Sequence, residues 1–331
     1  MTDLAAPVAS VTKPAGRWRE YVLPAIMLAM LAIIPFLGAF TSESYLLSLF
    51  TRVIIFSIAV LALDLLVGFG ALVSFGHAAF IGIGAYAVGI LASHGIGDAL
   101  ISLPVALLAS GLFALLTGMV CLRTHGVYFI MITLAFGQMA FFTASSLAPY
   151  GGDDGLTIHA RSTVAGFDLF ASDRALYYVS LAFLVAIYLF CRALVRSRFG
   201  RVFRGARENA TRLTTLGYHV YRYQLVAYVI AGMIAGLSGF LLANATNFVA
   251  PAYMSWQRSG ELLIMVILGG MGTLNGAIIG TAAYLLLEEW LSGFTEHWKM
   301  IFGPLLVLVV VFVPGGLIGI ARRLTRSVRR G

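Results

Sequence analysis

Long apolar runs alternate with short polar breaks along almost the whole chain. A membrane-spanning helix needs about 20 mostly apolar residues. This rule predicts ten spans, near 22–40, 46–67, 77–93, 101–121, 126–148, 175–195, 223–243, 259–271, 275–291 and 300–320. Because 77–93 is rich in glycine and 259–271 is short, we expect these two to be candidates for broken or re-entrant helices. The first apolar run is too long for a typical cleaved signal peptide and is interpreted as a retained span.

Composition supports an all-α polytopic membrane protein. Of the 331 residues, 60% are apolar and 11% are charged, whereas soluble domains have roughly 45–50% and 25%. The predicted organisation is a tail at 1–21, a transmembrane domain at 22–320 and a basic tail at 321–331. The two cysteines, Cys121 and Cys191, and the six histidines show no ligand spacing, so neither a disulfide nor a metal site is expected.

The basic residues predict the orientation of the chain. With ten spans, both termini lie on one side, and 17 of the 22 basic residues fall on that side. They are Lys13, Arg17, Arg19, Arg123, the eight arginines from Arg192 to Arg222 and the five from Arg322 to Arg330. Positive residues concentrate on the cytoplasmic side of membrane proteins. The N and C termini are therefore predicted to be cytoplasmic.

Two connections are long enough to do more than turn the chain. The outer loop, 149–174, opens with a cluster of turn-forming residues, and composition leaves open a solvated linker or a surface for an external partner or substrate. The inner loop, 196–222, has helical periodicity after Gly205, with Gly217 as a helix stop. Charge alone favours a basic helix resting on anionic headgroups over a docking helix for a cytoplasmic protein.

Glycine clusters where the chain should span the membrane. The segments 68–86 and 269–284 share a glycine cluster, a small polar residue (Ser74 or Asn275) and a Gly-x-x-x-Tyr ending. Both lie at predicted hairpins on the inner side. The similarity is compatible with an internal repeat, which transporter folds often contain, and glycine there permits close helix approach or an unwound backbone.

Ionisable residues inside the spans are few. Arg52, Asp64, Arg258 and Glu261 all lie close to a predicted span end, with Arg258 and Glu261 placed to pair. No series of acids and histidines crosses the span centres, which disfavours an ATP-independent secondary carrier. No catalytic constellation and no phosphate-binding loop is present, so a membrane enzyme is disfavoured and energy from ATP would come from another chain.

Several motifs, taken together and in order, resemble the LivM-type permeases of branched-chain amino-acid ABC importers, which also include the hydrophobic amino acid and urea-amide type. They cover about 65 to 320 and comprise Leu65 to Tyr86, Arg123-Thr-His-Gly-Val-Tyr-Phe, Thr133-Leu-Ala-Phe-Gly, Gly151-Gly-Asp-Asp-Gly-Leu, Phe199-Gly-Arg, Arg207-Glu-Asn, Ser259 to Gly280 and Pro314-Gly-Gly-Leu. The sequence departs from the usual pattern at Ala71 and Leu72, where Gly-Gln is usual, at Asp64, where Asn is commoner, and at Ala210, where Glu is usual.

The resemblance implies a type II-like ABC importer permease in a bacterial inner membrane. It implies a homologous LivH-type second permease, two cytoplasmic ATPases that carry ATP and Mg²⁺, and an external solute-binding protein. The chain itself would bind no cofactor and catalyse no reaction. The implied substrates are branched-chain or related amino acids, with urea, short amides, and aromatic or organic acids as alternatives.

The resemblance also assigns candidate residues. It makes the inner loop similar to a coupling helix, in place of a membrane-surface helix, with the coupling residues Arg204, Arg207, Glu208, Asn209, Leu213, Leu216 and Gly217. Polar residues in or beside the matched motifs give the pathway candidates Ser74, His77, Thr133 and Gln138, for which hydrogen bonding between helices is the alternative. The structural glycines are Gly68, Gly76, Gly82, Gly269, Gly270, Gly272, Gly276 and Gly280.

Overall fold

The structure, a computed structural model, describes residues 19–37, 43–164, 170, 172–294, 297, 300–304, 307–308 and 315–319. The helices are α1 (Arg19–Leu37), α2 (Glu43–Gly70), α3 (His77–Ser93), α4 (Ala99–Cys121), α5 (Val127–Ser146), α6 (Asp173–Arg196), α7 (Arg198–Thr215), α8 (Val220–Thr246), α9 (Trp256–Gly269) and α10 (Leu274–Ser292). The strands are β1 (Leu156–Thr157) and β2 (Phe248–Val249). Most of the predicted tail 1–21, all of the tail 321–331 and part of the predicted span 300–320 lie outside the described residues.

Five helices are long and apolar enough to cross a membrane, namely α2, α4, α5, α6 and α8. Helices α9 and α10 meet this criterion only as a pair, which is bent by 117° at the break 270–273. This confirms the prediction of a broken or re-entrant segment at 259–271. Helix α3, which has the predicted bounds, is a shorter apolar helix of 17 residues. The chain is thus a multi-pass helical membrane protein, and the total of ten spans stays a prediction.

Small polar residues set several helix starts. The side chain of Asp98 accepts a hydrogen bond from the Leu100 amide before α4, and Ser172 accepts one from the Ala175 amide before α6. Ser197 caps α7 and Ser255 caps α9 in the same way. Such caps satisfy backbone amides that have no partner inside the helix.

The core is built around α2 and α8. In α2 the apolar stretch of 18 residues is fully buried, and in α8 72% of it is buried. In α4, α5 and α6 only 28–33% of the corresponding stretch is buried. Glycines let α8 approach its neighbours closely: a methyl group on Gly239 would lie 1.9 Å from the Ile81 carbonyl oxygen, and one on Gly232 would lie 2.5 Å from the Ala114 side chain. Close backbone approach of this kind is typical of helix packing in membranes.

Two faces lie at opposite ends of the helices. We call them the α7 face, which carries α7, and the β face, which carries the β1–β2 pair. On the β face, Leu156 pairs with Val249 in antiparallel register. The Ser162 amide donates to the Asn244 side chain at 2.8 Å, and the Ile158 amide donates to the Asn247 carbonyl at 2.8 Å. The described part of the loop 149–174 is therefore held against the end of α8 and is not a free linker.

Candidate coupling surface and transport pathway

Helix α7 is longer than the sequence predicts. The prediction of one helix that starts after Gly205 is wrong, because α7 begins at Arg198, directly after the Ser197 cap. It also contains a break: Asn209 has an extended backbone (φ −158°, ψ 96°) that separates the segments 198–208 and 210–215. We call the first the anchored segment, and we call the second, together with the turn 216–219 that follows it, the free segment. The predicted helix stop is confirmed, since Gly217 follows the C-cap with φ +85°.

The anchored segment packs on the transmembrane helices. Gly200, Phe203 and Ala206 are buried at a spacing of three residues, which places them on one face of the helix. A methyl group on Gly70, the last residue of α2, would lie 2.3 Å from the Phe203 ring. Arg204 folds back over the α6–α7 junction and donates to the Val195 carbonyl at 3.1 Å. Tertiary packing therefore fixes this half of α7.

The free segment is largely uncovered. Asn209 caps it, because the Asn209 side chain accepts a hydrogen bond from the Arg212 amide at 2.9 Å. Leu213 is half-buried and turns back toward Gly205, whereas Leu216 is 66% exposed and Tyr218 is 42% exposed. An open groove of about 340 Å³ adjoins it; its lining residues are Thr214, Gly217, Tyr218, His219, Val220, Tyr221 and Arg222. The combination is a shallow, partly aromatic surface on the α7 face.

The structure divides the predicted coupling residues between two surroundings. Arg204 and Arg207 reach back to the transmembrane helices, since the Arg207 guanidinium donates to the Gly68 carbonyl at the end of α2. Glu208, Leu216 and Gly217 are exposed. The first group thus fastens α7 to the bundle, and the second group lies where another chain could make contact.

Three of the four predicted pathway residues surround the loop 71–76 between α2 and α3. Ser74 and Thr133 are buried; the Ser74 hydroxyl accepts from the Gly76 amide at 3.4 Å, and the Thr133 hydroxyl accepts from the Phe75 amide at 3.2 Å. His77 is fully buried with its ring edge to Phe80, and neither ring nitrogen has a partner among the described residues. Gln138 is half-buried on α5 and has no hydrogen bond that joins it to this group in the described chain.

The two glycine-rich segments meet in space. A methyl group on Gly68 would lie 2.2 Å from the Gly272 amide nitrogen, so the end of α2 contacts the α9–α10 turn backbone to backbone. Within the α9–α10 hairpin, a methyl group on Gly269 would lie 1.9 Å from the Gly276 carbonyl oxygen, and one on Gly280 would lie 2.2 Å from the Met265 carbonyl oxygen. These contacts leave no space for a side chain, and sequence similarity alone does not indicate that the two segments touch.

The remaining structural glycines face other elements. A methyl group on Gly76 would lie 2.3 Å from the Thr133 carbonyl oxygen, and one on Gly82 would lie 2.1 Å from the Met254 side chain. Gly270 has φ +112°, which a residue with a side chain rarely adopts. In the α2–α3 loop a positive φ falls on a non-glycine residue, because Ala71 has φ +55°.

A charged cluster at the β-face ends of α2, α9 and α10 was predicted only in part. The pair Arg258–Glu261 is confirmed, with 2.5 Å between Nη1 and Oε2. Arg52 lies 3.8 Å from Glu288, and both guanidinium groups lie over the Phe56 ring. Sequence reasoning missed Glu288. This acid lies inside a predicted span, and its need for a counter-charge is the signal that could have found the pair.

Broken helices and close glycine packing in a multi-pass bundle are features of transporter folds. The family model for the permease component of branched-chain amino acid transport systems matches residues 45–311. The chain belongs to this family.

Individual relatives agree with the family. The high-affinity branched-chain amino acid transport system permease protein LivM of Salmonella typhimurium is 28% identical over 92% of this chain and 79% of its own length, and LivM of Escherichia coli gives the same values. The LivH permease of Escherichia coli is 27% identical over 44% of this chain and 46% of its own. No solved structure matches the chain.

Proposed function

We propose that this chain is one permease subunit of an ABC importer and forms half of the pathway for branched-chain or related amino acids across a bacterial inner membrane. The family and the named roles of the LivM and LivH relatives support this proposal. The similarity to both kinds of permease also supports a pair of two different subunits, in which a LivH-type subunit supplies the other half of the pathway.

The free segment of α7 is the observation that carries the proposal. It presents exposed apolar and aromatic side chains, Leu216 and Tyr218, next to a groove on the face of the bundle where arginines concentrate. Because positive residues concentrate on the cytoplasmic side, this face is assigned to the cytoplasm. Exposed Leu and Tyr in water favour an interface with another protein. The partner proposed here is a cytoplasmic ATPase, which would carry ATP and Mg²⁺.

The connections of α7 suggest how ATPase closure would reach the pathway. A single residue, Ser197, separates α6 from α7, and residues 216–219 separate α7 from α8. Movement of α7 would therefore act on two adjacent helices at once. Such a rigid-body movement would alternate the cavity between outward-open and inward-open states. In this mechanism the chain performs no covalent chemistry.

The wider arrangement follows from the same assignment. The proposed bundle has ten spans of the type II-like importer fold, with the tails 1–21 and 321–331 in the cytoplasm. The β face then lies outside, where the held loop that begins at Pro149 exposes Asp153 and Asp154. We assign this loop as the contact surface for an external solute-binding protein.

A docking experiment tests the role of α7. The full-length chain would be co-expressed with the second permease and a tagged ATPase, and the amount of permease that co-purifies would be measured. Leu216→Asp places a charge in the proposed interface and should reduce co-purification at least tenfold. The matched control, Leu216→Met, keeps an apolar side chain of similar volume and should co-purify like the natural chain. Equal co-purification of both variants would refute docking at the free segment.

A transport experiment tests the substrate. Proteoliposomes with the assembled complex and its solute-binding protein would be loaded with ATP, and uptake of labelled leucine, isoleucine and valine would be measured. Uptake should require ATP and should fall when unlabelled branched-chain amino acids compete. Competition only by urea, short amides or aromatic acids would change the substrate class, and uptake without ATP would support a secondary carrier.

A further inference from the structure

Arg52 and Glu288 form an ion pair at matched depths on α2 and α10. Arg52 precedes Gly68 by 16 residues, Glu288 follows Gly272 by 16, and the backbones of Gly68 and Gly272 are in contact. At the rise of an α-helix, both charges lie about 24 Å from that contact. The hydrocarbon core of a bilayer is about 30 Å thick, so the pair lies within the length that crosses the membrane. An ionisable residue at such a position indicates a functional site.

The Arg52–Glu288 pair is loose. The Arg52 Nη2 and Glu288 Oε2 atoms are 3.8 Å apart, which is longer than a hydrogen bond. Neither side chain makes a hydrogen bond with the residues that the structure describes, and the side chains are 38% and 19% exposed. An ion pair of this kind contributes at most about 1 kcal/mol to stability. Stabilisation of the bundle therefore does not account for it, and both charged groups have room to bind a ligand.

The neighbouring pair Arg258–Glu261 differs, because it is closed. These residues are one turn apart on α9, and the guanidinium donates to the carboxylate at 2.5 Å. The Arg258 and Arg52 guanidinium groups lie over the same Phe56 ring, 5.4 and 5.9 Å from its centroid. Arg258 thus adds positive charge beside Arg52, which favours an anion there.

Aromatic rings lie one helical turn from each member of the loose pair. Phe56 follows Arg52 by four residues and Tyr284 precedes Glu288 by four, so each ring shares a helix face with a charged group. Both aromatic residues are almost fully buried, and both lie on the side toward the α7 face. A cation and an anion side by side, with apolar rings one turn deeper, match a ligand that has two opposite charges and an apolar side chain.

We propose that Arg52 and Glu288 bind the α-carboxylate and the α-ammonium group of an amino acid in the pathway, with its apolar side chain toward Phe56 and Tyr284. An α-amino acid carries both charges on one carbon atom, so it needs two opposite charges close together. Urea and short amides carry neither charge, and organic acids lack the ammonium group. The inference rests on the proposed function and specifies its substrate class as zwitterionic amino acids with apolar side chains.

A binding experiment tests the site without the ATPase. L-Leucine would be titrated into the purified full-length chain in lipid nanodiscs, and binding would be measured by saturation-transfer NMR. Arg52→Gln should weaken binding roughly tenfold, because a charge-assisted contact is lost. Arg52→Lys, which keeps the positive charge, should recover part of this loss. Arg123→Gln, a change at an exposed arginine outside the cluster, should bind like the natural chain.

Analogues and a second variant keep this test decisive. 4-Methylpentanoic acid lacks the ammonium group of leucine and isoamylamine lacks its carboxylate, so both should bind more weakly than leucine. Arg52→Gln combined with Glu288→Gln leaves no unpaired charge, so it should melt like the natural chain and still lose leucine binding. The site is wrong if the natural chain binds no leucine, if it binds the analogues equally well, or if the folded double variant keeps natural affinity.

Uptake by the reconstituted complex separates this site from the proposed function. The double variant should retain the ATPase and should take up leucine several-fold more slowly than the natural chain. ATP-dependent uptake at the natural rate in the double variant would overturn the site and leave the proposed function intact. Leucine binding by the natural chain without ATP-dependent uptake would have the opposite meaning, since the site would stand and the proposed function would fail.

Discussion

The two glycine-rich segments look alike in sequence but are supported differently. The α9–α10 hairpin is held by contacts within itself, where Gly269, Gly276 and Gly280 bring the two helices together. The α2–α3 turn is not closed by contacts between its own helices, because α2 and α3 each pack on α8; α7 supports the end of α2, through Phe203 on Gly70 and Arg207 on Gly68. The end of α2 is therefore the part that a partner bound at the α7 face would affect.

The largest expected effect on stability comes from removing the contact of α7 with the end of α2. Phe203→Ala deletes a fully buried ring and leaves a cavity between α7 and α2. Such substitutions cost about 3–5 kcal/mol in the free energy of unfolding. The loss would be measured by thermal unfolding of the purified chain, with Phe203→Leu as the milder control. A change below about 1 kcal/mol in the free energy of unfolding for Phe203→Ala would show that α7 does not stabilise the end of α2.

Substitutions inside the α9–α10 hairpin should lower the stability slightly less. Gly280→Ala places a methyl group 2.2 Å from the Met265 carbonyl oxygen, so α9 and α10 have to separate. Overpacking of this kind costs about 1–3 kcal/mol. Gly260, in the same hairpin, is the control, because a methyl group there would have its nearest neighbour at 3.9 Å. Equal melting temperatures for Gly280→Ala and Gly260→Ala would contradict close packing within the hairpin.

The smallest expected effect is a gain in stability. Ala71 has φ +55°, a backbone conformation that costs about 1–2 kcal/mol for a residue with a side chain. Ala71→Gly should therefore raise the free energy of unfolding by about 1 kcal/mol. Ala71→Val, with a branched side chain at the same position, should lower it. The order of melting temperatures, Gly above Ala above Val, is the measurement; the reverse order would exclude a left-handed residue in this loop.

The positions of the helices could be predicted from the sequence because each is a local property. Apolar runs of sufficient length placed every described helix except α7 within a few residues, and the shortness of 259–271 indicated the broken pair. Both glycine-rich segments were predicted to lie at hairpins; α9 and α10 do pack on each other, whereas α2 and α3 each pack on α8.

Contacts between distant segments could not be predicted. The anchored segment contains Gly200, Gly205 and Val202, which are weak helix formers, and it is helical because Phe203 and Ala206 pack on the bundle. The hydrogen bond between Asp64 and Gly272 joins residues more than 200 positions apart and has no periodic signal in the sequence. The seven predicted coupling residues were taken from one continuous motif, whereas in the structure Arg204 and Arg207 donate to the bundle and Leu216 and Gly217 are exposed beyond the break at Asn209.

Helix α8 connects the two faces that are proposed to bind partners. Its 27 residues extend about 40 Å without an internal proline, from the groove beside Tyr218 to the Asn244 side chain that holds Ser162 of the outer loop. A single helix therefore ends at both proposed surfaces, and a movement of α8 caused by binding at one would alter the other. Thermodynamic linkage would make such an effect reciprocal: the factor by which the proposed ATPase altered affinity for a solute-binding protein would equal the factor by which that protein altered affinity for the ATPase.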